Sequence, residues 1–496
     1  MIIFIRGPSE QKRVEIREDE DIYKKVQDLF KVEQFAVFKD SAKKCKIHKG
    51  ELVKNLGLKN GSAIYVEYEI VQKEVKRVKD KMMCSHDVNA MCANCAPLDP
   101  WDEKYYKEKN IKYLSFGSYK EMLKHQKTNL EMENYDQKKC AEHSSKTKCV
   151  RCQDADILLI PQIYRMVDHI EFDNQKIVEN FIKNWKDSHK QFFGLLIGKY
   201  KQYDRSPLGT RAVVSGIWEP EQENFPDGFV LTETLDDDFL DGTGLEIVGM
   251  IYTDIIYDGK LTSDRLMHNY LVSSLEVCFM AKMQFMFPHI DNNKVFNSRF
   301  VTIIATPNES GDIELLEYQV SSQCMALTRN NYILPTENPE KSLAKKNIFY
   351  KTRDEANNLL QVKADPYLPN DYFLVRLTHG MKSNPLFTQC SFIPFKLGNS
   401  KMSEYFGGDY SLEKFSNFNL LMKLKTRISN FNVFLKAIIS KDTAYFEEFK
   451  RSEEFQEIVL PLQKYNKIEW VCEVCTYINS HRPDNCEICE SPRNFN

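Results

Sequence analysis

The sequence predicts a multidomain α+β chain with metal-dependent modules, on three observations. Cysteines and histidines fall into clusters with metal-ligand spacing, residues 1–70 read as a hairpin, a helix and further strands, and the centre alternates strand-like with helix-like runs. At 496 residues the chain is longer than one hydrophobic core usually holds, so about three to five units are expected.

Composition narrows the class. With 42% hydrophobic and 12% aromatic residues there is material for several cores. Lys+Arg number 68 against 71 Asp+Glu, a formal net charge of -3, which argues against a nucleic-acid polyanion as main partner while allowing a local basic face. No apolar run has the length of a membrane span, and Met1-Ile-Ile-Phe-Ile is stopped by Arg6, too early for a signal-peptide core. Of 14 cysteines, all but Cys45, Cys278, Cys324 and Cys390 lie in C-x-x-C clusters, which points to metal and to a reducing compartment. Those four read as buried inert thiols.

In residues 1–70, Ile3 and Ile5 begin a strand, Gly7-Pro8 turns it and Val14 and Ile16 pair back. Ile22, Val26, Leu29 and Phe30 have helical spacing, a strand covers 35–38, and Leu56-Gly-Leu-Lys-Asn-Gly61 turns into a last strand over 64–68. That order is the order of a β-grasp, and the segment resembles a ubiquitin-like domain. Residues 71–83 are a charged linker.

Residues 84–156 form a tandem zinc-binding unit. The first set reads Cys84-x-His86-x5-Cys92-x2-Cys95 and the second Cys140-x2-His143-x5-Cys149-x2-Cys152. Three thiolates and one imidazole close a zinc tetrahedron and leave no position for water or substrate, so both sites are structural. Sequential pairing is the simpler assignment; crossed pairing, with Cys84 and His86 joining Cys140 and His143, satisfies the same spacing. Between the sets lie Pro97-Leu-Asp-Pro-Trp-Asp102, an amphipathic stretch through Tyr113, Phe116, Tyr119 and Leu123, and a polar loop over 125–139.

Residues 157–310 read as an α/β unit, with a helix over 178–185, strands at 193–198, 212–214, 247–252 and 300–304, and a long apolar helix over 271–287. Residues 311–465 add strands at 315–320 and 372–377. A stripe then runs from Phe415 and Phe418 through Leu421, Leu424, Ile428, Phe431, Phe434 and Ile438 to Phe446 and Phe449, the pattern of packed helices.

Residues 466–496 carry Trp470-x-Cys472-x2-Cys475-x3-Asn479-x6-Cys486-x2-Cys489, four thiolates in two knuckles, and a module this small depends on its metal to fold. It resembles the zinc finger shared by ubiquitin-binding and Ran-binding-type proteins. Ubiquitin-binding members carry a Thr-aromatic pair after the first knuckle and an apolar residue between the last two cysteines, here Thr476, Tyr477 and Ile488. RNA-reading relatives want stacking aromatics with arginines, and the segment offers only Arg482 and Arg493.

The glycine-bearing strands Phe193-Gly-Leu-Leu-Ile-Gly198 and Val248-Gly-Met-Ile-Tyr-Thr-Asp254 resemble the MPN domain of ubiquitin-isopeptidase metalloenzymes. Laid onto that pattern, the base position is Gln191, the two His positions are Tyr252 and Asp254, and the Asp position is Glu276. An amide takes no proton from water and a phenol removes a nitrogen ligand, so no catalytic residue is expected and the unit reads as a binding scaffold. His268 is too far in sequence to restore the pair.

Longer stretches resemble the nuclear protein localization protein 4 family: Met91-Cys92, Cys95-Ala-Pro-Leu-Asp-Pro-Trp-Asp102, Tyr164-Arg-Met-Val-Asp-His169, Tyr203-Asp204, Pro207-Leu-Gly209, Tyr252-Thr-Asp254, Ser273-Ser-Leu-Glu-Val277, Tyr318-Gln-Val-Ser321 and Leu377-Thr-His-Gly380. The resemblance implies a non-enzymatic adaptor, with three structural Zn2+ sites, that binds ubiquitin and polyubiquitin chains. It would deliver substrates to a hexameric AAA ATPase, valosin-containing protein, as a heterodimer with ubiquitin fusion degradation protein 1. It further implies a cytoplasmic and nuclear location with peripheral association at the endoplasmic reticulum or nuclear envelope. The Phe-Pro-Arg turn of related ATPase-binding domains is absent after 35–38, which leaves that docking surface unassigned. The rival readings are a divergent zinc isopeptidase and an RNA-binding zinc protein.

The closed ligand count makes Cys92→Ser, which replaces a thiolate by a weak hydroxyl ligand, release one zinc while the 157–310 unit stays folded; metal analysis that finds the wild-type zinc content would refute it.

Overall fold

The computed structural model describes residues 2–6, 11–17, 20–30, 35–39, 45–49, 51, 53–58 and 62–67, then 99–131, 133, 135, 156–291, 294–353, 357–466, 470–479, 485, 486 and 488–492. The linker and both Cys3His sets, Cys84, His86, Cys92, Cys95 and Cys140, His143, Cys149, Cys152, lie outside the described residues. The chain divides into two compact units, Met1–Leu98 and Asp99–Asn496.

In the first unit, five strands lie in the order Gln11–Glu15, Ile2–Arg6, Ala63–Glu67, Ala36–Phe38, Lys46–Ile47. The first two form an antiparallel hairpin, and Ile2–Arg6 runs parallel to Ala63–Glu67. Period-2 alternation puts Ile3, Ile5, Val14 and Ile16 on one face, and the helix Ile22–Phe30 buries Ile22 and Val26 against it with Val37, Ile64 and Val66.

The second unit begins with two helices whose starts are chemically marked. Asp102 accepts from the Lys104 N–H (2.8 Å) ahead of Glu103–Glu108, and Ser115 accepts from the Ser118 N–H (3.1 Å) ahead of Phe116–His125. The apolar stretch expected to open at 271 starts its helix later, at Ser274–Met286, because Ser273 and Glu276 form a reciprocal capping box.

The centre of this unit is an eight-stranded mixed sheet. Its order is Leu374–Arg376, Ile313–Val320, Val301–Pro307, Glu246–Thr253, Phe193–Tyr203, Gly209–Trp218, His169–Phe172, His379–Met381. The strands expected in the centre of the sequence are present and longer than expected. Strands on both sides of residue 310 belong to this one sheet, so a cut between 310 and 311 falls inside it.

The two outermost strands, Leu374–Arg376 and His379–Met381, are neighbours in sequence. Residues 374–376 pair antiparallel with Ile313–Val320, and 379–381 pair parallel with His169–Phe172. At the crossover Leu377 N–H donates to Glu317 O (3.0 Å) and Ile170 N–H donates to Thr378 O (2.8 Å). One extended run thus joins both ends, and the sheet closes into a barrel.

Each face of the sheet has its own core. One cluster contains Ile170, Phe172, Leu196, Val214, Val248, Ile303, Val375 and Leu377, with Val178 and Phe181 of the helix Gln175–Ser188. The other contains Phe193, Leu195, Met250, Tyr252, Ile304 and Tyr318, packed by the helix Ser274–Met286 and by the C-terminal helices. Phe415, Phe418, Leu421, Leu424, Ile428, Phe431, Phe434, Ile438, Phe446 and Phe449 are all buried in that second core, so the stripe packs helices as expected.

A glycine is required where two central strands meet at an irregular register. A Cβ on Gly198 would lie 1.9 Å from the carbonyl oxygen of Val213, a backbone atom that cannot move aside cheaply. Gly198→Ala is expected to lower stability by about 2–3 kcal/mol through overpacking, read as an earlier denaturation midpoint.

Candidate functional site

The C-terminal segment brings Cys472, Cys475, Cys486 and Cys489 together, with every sulfur within 4.8 Å of the others. The closest pairs, Cys472–Cys489 and Cys475–Cys486, stand 3.5 and 3.4 Å apart, near the edge of about 3.8 Å that follows from four zinc–sulfur bonds of about 2.3 Å. The two knuckles are built alike. Thr476 N–H donates to Cys472 O and Glu490 N–H to Cys486 O, both at 2.8 Å. Thr476 and Glu490 take left-handed backbones, φ +56° and +57°, which turn each knuckle back on itself. The donor set and its size fit a zinc ion.

Around this knot the expected binding residues face solvent. Ile488 is 65% exposed and Tyr477 39%, and Thr476 is exposed beside them. Val474 and Ile478, which residue type alone did not single out, are exposed as well. Apolar side chains turned outward on so small a module cannot serve its core, and such patches commonly mark contact surfaces.

The second site lies beside the closed sheet. Tyr252 and Asp254, at and just beyond the end of the strand Glu246–Thr253, and Glu276, in the first turn of Ser274–Met286, come together as the sequence pattern expects. They surround a side chain that the pattern did not include. Arg265, 5% exposed, donates from Nε to Asp254 (2.6 Å), from one terminal nitrogen to Glu276 Oε1 (2.6 Å) and from the other to the Leu271 carbonyl (2.6 Å). Tyr252 Oη donates to the same Glu276 oxygen at 2.8 Å, and the other oxygen accepts from the Ser273 N–H at 2.7 Å.

The guanidinium therefore takes the place at the centre of the ligand positions, and these residues do not fit a metal ion. Nothing in the run Ser263-Asp-Arg-Leu-Met-His268 distinguishes Arg265 from other arginines, since its partners are brought in by folding. Gln191 is bonded to the residues on either side of Asp254 and not to the guanidinium or its acids. Its oxygen accepts from Thr253 Oγ1 (2.8 Å) and the Ile255 N–H (3.2 Å), and its amide nitrogen donates to Pro226 O (2.7 Å) and Ile255 O (2.8 Å). His268 is exposed, with Nδ1 3.0 Å from the Asp264 carbonyl.

Electrostatics follow from this geometry. Burial tends to raise the Glu276 carboxyl, but Arg265 and the capping N–H hold it below its ordinary value. At Asp254 burial outweighs the same arginine and the pKa is raised. The Tyr252 phenol is pushed well above its ordinary value, by burial first and by Glu276 second. Glu276 thus adds stability above its unfolded pKa of about 4.3, lost as pH falls through the lower folded value.

Removing the cation leaves two acids facing each other with no counter-charge. Arg265→Gln should cost about 3–5 kcal/mol at pH 7.5, as when one partner of a buried pair is lost. The deficit should shrink toward pH 5, because protons can then neutralise Asp254 and Glu276; denaturant melts at both pH values measure the difference.

Three family profiles match the chain. That of the NPL4 family matches residues 192–463, that of the NPL4-family zinc binding region matches 61–189, and that described as nuclear pore localisation protein NPL4 matches 1–67. Curated relatives are similar over most of the length. The nuclear protein localization protein 4 homolog of Drosophila melanogaster is 30% identical over 84% of this chain and 76% of its own. Nuclear protein localization protein 4 of Saccharomyces cerevisiae is 31% identical over 72% of each chain. The Homo sapiens homolog is 29% identical over 85% of this chain and 80% of its own. With more than half of its residues matched by one family profile, this chain belongs to the NPL4 family.

Proposed function

We propose that the chain is a non-enzymatic adaptor that binds polyubiquitinated proteins and delivers them to a hexameric AAA ATPase for unfolding and degradation. The observation that carries this reading is the C-terminal knot, where a closed thiolate set holds Tyr477 and Ile488 outward at the positions that ubiquitin-binding fingers use. Membership of the NPL4 family supports it. In this reading three structural zinc ions hold the chain's small modules, valosin-containing protein is the ATPase, and ubiquitin fusion degradation protein 1 is the heterodimer partner. The protein works in cytoplasm and nucleus, with peripheral association at the endoplasmic reticulum or nuclear envelope. Its relatives' names, which speak of nuclear protein localization, agree with the nuclear part.

The charges around Arg265 support a non-catalytic role. A metalloisopeptidase needs a cation with an open position that acidifies water, and a base to take the proton. Arg265 offers a fixed positive charge with no vacant coordination position, and the Gln191 amide is committed to backbone and hydroxyl partners. Among the described residues, this cluster offers neither a vacant metal position nor a free base, which supports a binding role.

Tyr477→Ala in the full chain should weaken binding of polyubiquitin about 5- to 30-fold, the effect of truncating an exposed anchor worth about 1–2 kcal/mol. Unchanged affinity in a titration would sink the assignment of the finger. Cleavage of ubiquitin chains by the zinc-loaded protein would sink the non-enzymatic reading.

A further inference from the structure

The net charge of -3 conceals a local excess of cations on the outer face of the barrel. The cross-strand register sets Lys201 directly opposite Arg211, and Arg211 opposite His169. Lys199 lies two residues before Lys201 on the same face, opposite Val213, which in turn faces Glu171. Glu171 pairs with Gly380, and Lys382, two positions on, returns to that face. Like charges placed directly opposite in a sheet are destabilising, so Lys201 against Arg211 is a costly arrangement that folding alone does not ask for.

The local acids do not balance it. One oxygen of Glu171 serves both Arg211 (3.2 Å) and Lys382 (2.9 Å). Among the described residues, Lys199 and Lys201 have no carboxylate within ion-pair distance, and the Arg211 Nε is buried without a hydrogen-bond partner. Lys201 is exposed and Lys382 is half exposed, so these ammonium groups meet solvent. Asp173 is near enough to feel Lys201 and Lys199, and its own pKa is raised by burial before those lysines lower it.

The spread of the cations selects the ligand. Neighbouring strands are about 4.8 Å apart, so the four strands carry charge across about 14 Å, and Lys199 and Lys201 are about 6.6 Å apart along one strand. A single phosphate touches one point and would use one or two of these groups. Alternate side chains of an extended peptide recur at the same interval of about 6.6 Å. Glu171 and Asp173 are buried among these cations, and a peptide can space its acidic side chains to meet the exposed lysines while passing over the carboxylates with neutral residues.

We propose that Lys199, Lys201, Arg211 and Lys382 form a docking site for an extended acidic peptide segment of a partner protein. The site shares no residue with the zinc knot, and it does not depend on the ubiquitin-binding reading.

The test uses the full chain and a fluorescein-labelled peptide of alternating glutamate and serine, followed by anisotropy. Binding is expected at about 50 mM salt and should weaken steeply toward about 200 mM, as charge-driven association does. Lys199→Glu with Lys201→Glu should weaken it on the order of tenfold with an unchanged thermal transition, and Lys382→Glu alone should give a smaller loss in the same direction. No binding by the wild type at low salt, or equal binding by the folded double variant, overturns the proposal. Tighter binding of an oligouridylate of similar length overturns the peptide assignment in favour of nucleic acid.

Discussion

The second unit depends on one extended run, Leu374–Met381, that serves as both ends of the same sheet. Its first half completes the sheet on the side of Ile313–Val320 and its second half on the side of His169–Phe172. An open sheet of this size would expose two rows of unpaired N–H and C=O groups, each a template for unwanted pairing. The run covers Tyr318–Val320 of one row and Ile170–Phe172 of the other, and it seals Val375 and Leu377 into the core that holds Ile170 and Val214. The contact joins residues 210 positions apart, as in the bond from Thr378 to the Asp168 carbonyl, so closing it carries the entropy cost of a long intervening chain.

Much of the fold was legible because burial writes periodicity into sequence. Ile3, Ile5, Val14 and Ile16 announced a half-buried hairpin, and the Phe-rich run from 415 to 449 announced packed helices. Closure was not legible. The strand expected over 372–377 is present at 374–376, but its continuation at 379–381 is three residues long, too short to show alternation, and its pairing partner more than two hundred residues away leaves no local mark. The helix start near 271 was misplaced for a different reason. Apolar Leu271 and Val272 extend the helical pattern, but the hydrogen bonds that begin a helix belong to Ser273 and Glu276.

The candidate sites divide along the same line. Four cysteines in two knuckles could be read as one knot because the ligands are close in sequence and the backbone turn is local. Tyr252, Asp254 and Glu276 could be named from a pattern, and folding does unite them. Arg265 could not be named, because an arginine becomes a buried counter-ion only through what surrounds it. The basic face is harder still: Lys199, Lys201, Arg211 and Lys382 lie on three separate stretches, and only the strand register makes them neighbours.

The Arg265 guanidinium and an ion in the C-terminal knot would be held in different ways. An ion in the C-terminal knot would be shared with the surroundings, subject to their supply, to competing thiols and to chelators. The guanidinium beside Tyr252 is part of the chain and has no dissociation constant. It cannot be stripped, exchanged for a wrong metal or left unfilled when metal is scarce. Synthesis of the polypeptide and filling of that position are one event, so this region needs no loading step before it can work.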